Sequence, residues 1–536
     1  MDSHYTGNDK RQLSARSWLL ILAFSLAAVL PRTFFLDSPL NRDEGAYATV
    51  ADCIARGGIP YVSAFDHKPP AIYYIYYAAF SVFGHTAVAP RLAALLAIWS
   101  GCLLLPVLVY RITKSFPGAL ASSLFLGWAS VLPATAGASA NTEVFAIPFI
   151  ISGVSFLVDA DRSSLVKGLF SGLAWGTGII LKQPVAIIGL FVWVWSTWSM
   201  RHDWRKVGCM SVGCAFGTFL PLSVVVSQYL SGNRPTEFIE CFYAYNYDYS
   251  GLVSWSQVFS NGLAGVLDVY HEDPIIWFVG ISGLSLLTIA CDSGRARYLG
   301  LLWFSGSFIA VALGGMFYTH YFVFVLPVLS FGGGLCIASI VRCGNGGRLS
   351  TGILCGAYLI FYIPIFKLSP RGMCDAIYPV MDRFPRAEAL GKYMYNIGHG
   401  GSLFIVGSEP ELYFYAEMVP VSRFIYQYPL YFPHRNLEKF RKEVGAELQA
   451  HPPEWLVIDT GFADLRAGSW ERKLLERLPA YDLTAVNTAG TTYILTEQRD
   501  FNGRELLDVA ALLVFKRSRV ASVGSPLLAD MIKAVR

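Results

Sequence analysis

Apolar runs of about bilayer-crossing length recur from residue 18 to residue 367 of this chain, separated by brief polar breaks. A segment in lipid has to satisfy its own backbone hydrogen bonds, so such runs fold as helices, and the chain reads as an α-helical polytopic membrane protein. The first run, Trp18 to Phe35, follows a basic leader with Lys10, Arg11 and Arg16. Its length and the runs behind it make it a first span rather than a cleaved signal. Further runs lie near 88–110, 117–136, 143–158, 165–181, 184–199, 208–229, 274–291, 298–315, 319–341 and 350–367, about eleven spans in all.

Composition agrees, with 54% hydrophobic residues and only 15% charged, against roughly 25% charged in a soluble domain. The 42 basic and 38 acidic residues are too balanced for nucleic acid to be a partner. Ten scattered cysteines, with no CxxC pair, suggest neither a zinc site nor a disulfide framework.

The positive-inside rule orients the spans. Arg111, Lys114, Arg162, Lys167, Arg201, Arg205, Lys206, Arg295, Arg297, Arg342 and Arg348 fall in breaks on one side, whereas breaks 134–142 and 314–319 on the other carry no Lys or Arg. The N-terminus is therefore expected in the cytoplasm, and the breaks 36–87 and 230–273 and everything after about 370 outside it. The expected domains are a membrane part over 1–370, an extracytoplasmic α/β domain over 371–500, and a tail of unknown structure over 501–536. The α/β reading rests on strands Ser402–Gly407, Trp455–Asp459 and Thr491–Thr496 alternating with helices near 409–417, 435–449 and 470–478.

The unusual residues gather in the external breaks. Asp43 and Glu44, a few residues beyond the first span, could accept a proton from an attacking hydroxyl or hold a divalent cation. Their ordinary explanation is structural, with Asp43 capping a helix to about Arg56 and Glu44 in its first turn. Lys68, before Pro69 and Pro70, stands at the positive end of the apolar stretch Ala71 to Phe83, where a lipid phosphate would fit; snorkelling toward headgroups is the alternative. Glu143 enters an apolar span and is costly there unless it faces a cavity or a partner. Lys182, in a Lys-Gln-Pro break, could neutralise a phosphate or pair with an acid. His320 beside Tyr321 could donate to phosphate or be satisfied by packing. Tyr243, Tyr245, Tyr247 and Tyr249 recur at every second position in the long break, where aromatic faces suit sugar rings, prenyl chains or the membrane interface.

Taken together, these pieces resemble the GT-C glycosyltransferases that use polyprenyl-phosphate sugars, among them the protein O-mannosyltransferases and the lipid A aminoarabinose transferases. The matching residues are Arg42-Asp43-Glu44 with Tyr47, Gly58 to Tyr61 leading to Asp66-His67-Lys68-Pro69-Pro70, Asn141-Thr142-Glu143, Gly172 to Pro184, and His320-Tyr321 before Pro327. The likeness covers about 1–370 and implies an inverting transfer in which Asp43 is the catalytic carboxylate, Glu143 a second acid, and Lys68 the cation on the donor phosphate. Glu44 joins the catalytic set, and Lys182, His320 and Tyr321 the substrate-binding one. The implied enzyme sits in the cytoplasmic (inner) membrane among its lipids. It moves a sugar from a polyprenyl-phosphate donor to an extracytoplasmic glycan, lipid or protein. A transporter or flippase of lipid-linked sugars also places charges in apolar spans, and it predicts two related halves that the sequence does not display. A non-catalytic assembly protein of the same fold predicts that Asp43→Asn leaves function intact.

Overall fold

The computed structural model describes residues 13–158, 164–290, 296–378, 383–488, 491–494, 511–518 and 528. From the N-terminus, nine of its helices are α1 (Ala15–Val29), α2 (Arg42–Ala55), α3 (Ala71–Phe83), α4 (Val88–Thr113), α5 (Phe116–Ala129), α6 (Thr142–Val158), α7 (Ser164–Ile179), α8 (Val185–Ser199) and α9 (Trp204–Ser231). Further apolar helices cover Pro274–Ala290, Leu299–Ala312, Leu326–Val341 and Gly344–Phe361. The chain has a membrane-protein fold.

Every run expected to span is helical over most of its length, but few are long enough alone. Among the described residues, four stretches qualify by length and composition: Ala15–Phe35, Val88–Thr113, Trp204–Ser231 and Gly344–Lys367. A fifth would be Trp255–Glu272 with the helix after it, which are bent by 101°. The bend has a local cause. Asp273 leaves the helical region and Pro274 cannot donate a backbone bond; the Asp273 carboxylate instead caps Ile276 N at 2.9 Å and accepts from the Tyr358 and Tyr362 hydroxyls at 3.0 and 2.6 Å.

One of the shorter helices, α5, ends at a connection that is buried in protein. Residues 131–141 are almost all buried, and their carbonyls need partners. Arg32, itself buried, serves three carbonyls at this break, donating to Ser130 O at 2.6 Å, Ser139 O at 3.2 Å and Gly137 O. Most of the break expected at 134–142 is thus part of the interior.

Small residues bring α7 and α9 together. A Cβ at Gly172 would stand 2.1 Å from the Cys214 carbonyl oxygen, and one at Gly217 2.2 Å from that of Leu169. These positions belong to four-residue glycine repeats, Gly168-Gly172-Gly176 and Gly213-Gly217, the pattern that lets helix backbones touch in lipid.

The C-terminal part is a six-stranded mixed sheet of β1 (Ser402–Val406), β2 (Val419–Pro420), β3 (Trp455–Asp459), β4 (Tyr481–Thr488), β5 (Thr491–Ile494) and β6 (Ala511–Arg517), ordered β2-β1-β3-β6-β4-β5. β1 runs parallel to β2 and β3; β6 is antiparallel to both neighbours. The last two residues of the expected strand Thr491–Thr496 lie outside the described residues. Residues 511–517, read from the sequence as part of a tail, form a strand in the middle of the sheet, with Leu512, Leu513, Val514 and Phe515 all buried. Their run of four apolar side chains is too short to span lipid and suits a strand covered on both faces.

Candidate active site

The site begins with the cap of α2. Asn41, and not Asp43, is the N-cap: its side chain accepts from Glu44 N at 2.9 Å, and the Glu44 carboxylate accepts from Asn41 N at 3.0 Å. Capping therefore makes no demand on Asp43, whose carboxylate is a third exposed and lines a cavity of about 590 Å³. Its neighbour Glu44, expected beside it at the reaction centre, is fully buried and turned elsewhere. Arg91 of α4 grips it through Nε at 3.1 Å and Nη2 at 2.8 Å, and Ala140 N donates to it at 2.8 Å. Glu44 thus ties α2 to α4 and to the buried break, and it is a positioning residue in this geometry.

Lys68 lies across the cavity from α2. The loop before α3 is fixed by the Tyr61 and Tyr73 hydroxyls, which both donate to Lys68 O, at 2.6 and 3.1 Å. This leaves the ammonium 3.6 Å from an Asp43 oxygen and 3.3 Å from His67 Nε2. Burial alone would raise Asp43, but Lys68 and the other cations of the site outweigh it and hold the carboxyl well below the usual range. Burial would likewise lower Lys68, and Asp43 and Asp66 together push it above the ordinary lysine value. His67 is driven well below its ordinary value by burial and by Lys68, so its ring is neutral. Asp66 is raised by burial, against the pull of Lys68; one of its oxygens accepts from Tyr426 at 2.9 Å and the other is buried without a hydrogen bond.

Of the remaining expected residues, His320 and Tyr321 line the same cavity as Asp43 and Lys68. Glu143 and Lys182 do not line it. They form a buried ion pair at 2.7 Å, with Thr142 donating to Glu143 at 2.9 Å and the Lys182 ammonium 4.6 Å from the centre of the Tyr321 ring. This is the acid-pairing alternative for Lys182. Tyr73 and Tyr76 of α3 are fully buried against Tyr47, while Tyr77 stays exposed.

The tyrosines of the long break are helical, first as a π-turn over Ile239–Tyr245 and then as a short α-helix over Asn246–Ser250. A spacing of two then sends alternate rings to opposite sides: Tyr245 and Tyr249 line the cavity, and Tyr243 and Tyr247 are exposed. The facing wall comes from the C-terminal part, with Tyr426, Tyr428 and Phe432. That part is locked onto α2. Arg42 donates to Tyr428 Oη at 2.7 Å and to Ser408 O at 2.5 Å, Thr49 Oγ1 to Pro410 O at 3.0 Å, and a Cβ on Gly45 would lie 2.6 Å from Glu411 N.

Sequence reasoning quoted Asp66 only as part of a motif and gave it no role, and it passed over Arg91 and the C-terminal tyrosines. Arg91 did carry a signal, a lone cation in the first turns of an apolar run, of the kind that made Glu143 a candidate. Nothing at Tyr426 or Tyr428 distinguishes them from other aromatics. Among the described residues, no three His, Cys, Asp or Glu side chains are grouped to hold a metal ion. The divalent cation that Asp43 and Glu44 could share has no preformed cage, because Glu44 is committed to Arg91.

Residues 67–227, less than half of the chain, match the family described as dolichyl-phosphate-mannose-protein mannosyltransferase. ArnT from Cupriavidus metallidurans bound to undecaprenyl phosphate superposes over 95% of this chain and 99% of its own, with a TM-score of 0.56 at 14% identity. The chain shares this fold, which is of the GT-C type. Apo ArnT from the same organism superposes over 94% of this chain and 98% of its own, with a TM-score of 0.54 at 14% identity. No curated protein matches its sequence. The family match opens at His67, one residue before Lys68, and takes in Glu143 and Lys182.

Proposed function

We propose that this protein is a glycosyltransferase that moves one sugar from a polyprenyl-phosphate donor to an acceptor hydroxyl, with inversion, on the extracytoplasmic side of the cytoplasmic membrane. The observation that carries the proposal is the Asp43–Lys68 arrangement: a carboxylate kept ionised and a buried ammonium, 3.6 Å apart, on one cavity. Asp43 takes the proton as the acceptor oxygen attacks the anomeric carbon. The bond from that carbon to the phosphate oxygen breaks, and the leaving polyprenyl phosphate carries its negative charge to Lys68. His320 and Tyr321 orient the donor from the same wall, and the Glu143–Lys182 pair supports Tyr321 from beside it. The mannosyltransferase-type family match and the undecaprenyl phosphate on ArnT support a lipid-phosphate donor. The run of basic residues in the breaks of one side supports a cytoplasmic N-terminus and an external site.

The test is label transfer from radiolabelled polyprenyl-phosphate sugars by purified full-length protein in detergent with membrane lipids and an extract of acceptors. Wild type should transfer, Asp43→Asn should lose at least about 10²-fold in rate, the scale of a removed general base, and Lys68→Ala should lose donor binding and rate together. Transfer by Asp43→Asn at the wild-type rate would sink the catalytic assignment. Movement of intact donor across vesicle membranes without sugar release would favour a flippase instead.

A further inference from the structure

Two stacked aromatic pairs meet at the cavity and have no part in the chemistry described above. Tyr245 and Tyr249 stack with centroids 6.2 Å apart and planes at 17°; Tyr428 and Phe432 stack at 5.2 Å and 7°. The pairs join edge to face, Tyr249 against Phe432 at 6.1 Å and 70°, so they make a corner of two nearly perpendicular walls. All four rings line the cavity that holds Asp43 and Lys68. One wall belongs to the long break between α9 and Trp255 and the other to the C-terminal part.

Among the described residues, the charges beside these four rings are held in ion pairs. Arg42 reaches Glu409 at 3.5 Å, Arg435 holds Asp248 at 2.6 Å, and Lys439 holds Glu240. The group added at the cavity's edge is an acid, the exposed Asp375. A phosphorylated acceptor would have to displace one of these ion pairs and pass Asp375. The corner also carries hydroxyls at its rim: the Tyr249 and Tyr318 hydroxyls lie 3.0 Å apart, and the Tyr428 hydroxyl accepts from Arg42. Flat apolar faces edged with hydroxyls suit a ring with C–H faces and a polar equator, and they suit a bare hydrocarbon chain less well.

We infer that the acceptor is an uncharged glycan, one sugar ring of which seats in the corner formed by Tyr245, Tyr249, Tyr428 and Phe432 and presents its hydroxyl to Asp43. This rests on the transferase reading above, and it selects one acceptor class from the glycan, lipid or protein that the sequence leaves open.

The test is saturation-transfer NMR on the full-length protein in micelles. The probes are neutral gluco-, manno-, galacto- and arabino-oligosaccharides, a Ser/Thr peptide, and a bisphosphorylated glucosamine disaccharide lipid. A neutral oligosaccharide should give signal, and in transfer assays its KM should rise at least about tenfold in Tyr249→Ala and in Phe432→Ala. Tyr249→Phe, which keeps the ring, should restore it, and the KM for the donor should change far less. The inference is overturned if no neutral glycan binds, if glycan binding is indifferent to both alanine variants, or if the peptide or the phosphorylated lipid binds in its place. Donor turnover by wild type against Asp43→Asn is read in the same samples. Loss of the glycan result with an intact Asp43 effect removes the acceptor assignment alone, whereas loss of the Asp43 effect removes the transferase mechanism itself.

Discussion

Asp43 and Glu44 are chemically alike and adjacent, yet about 100° of helical rotation separates their fates. One carboxylate opens to the cavity, and the other is consumed by Arg91 and two backbone amides. The ionisation of Asp43 depends on its neighbours, which gives a pH prediction. Its pKa is depressed, so it is charged throughout the range above the ordinary aspartate value of about 3.9 and protonates only as the pH falls through its lower value in the fold. Activity should therefore hold down to acid pH. In Lys68→Met the burial effect loses its strongest opponent, and the acid limb of kcat/KM for whatever transfer remains should move to higher pH. An unmoved limb would mean that Lys68 does not govern Asp43. The charged residues of this site were legible in the sequence because a charge beside an apolar run needs a reason to be there. Which of two adjacent acids faces the cavity was not, since that depends on the cap at Asn41 and on Arg91, 47 positions away from Glu44.

At the scale of elements, close approach of backbones matters more than side-chain volume. Gly172→Ala would place a methyl 2.1 Å from the Cys214 carbonyl oxygen, so α7 and α9 must part, at a cost of about 1–3 kcal/mol. Gly208→Ala in the exposed first turns of α9 meets nothing within 4 Å and should be neutral or stabilising by up to about 1 kcal/mol. Thermal melts of both variants in the same detergent check the pair, and equal shifts would show that the glycine repeat is not a packing contact. Apolar runs announced these helices well. Their lengths were harder to read, because breaks such as 131–141 contain small and apolar residues and are buried through a distant arginine, Arg32, that no local pattern connects to them.

For the whole molecule, the membrane helices and the C-terminal sheet share one cavity, with α2 between them. The strands β1 and β3 were evident from their apolar runs. The place of residues 511–517 was not, because a short apolar run in a polar context looks alike whether it ends a tail or completes a sheet. Val514 is fully buried in β6, opposite Val457 of β3 and Val514's other partner Ala485 of β4. Val514→Asp should cost about 3–5 kcal/mol, the scale of an uncompensated buried charge. It should render the segment after 383 sensitive to limited proteolysis while the membrane helices stay protected. Unchanged proteolysis would argue that β6 is dispensable.

The central place of β6 also sets a schedule for the making of this protein. Until residues 511–517 emerge, β2-β1-β3 and β4-β5 are two fragments with unpaired edges at β3 and β4, although Asp43 was synthesised some 470 positions earlier. Tyr426 and Tyr428 belong to the chain between β2 and β3, so the wall they provide gains its full support only when that late strand slides into place. A nascent chain therefore holds Asp43 and Lys68 long before it holds the finished wall that faces them.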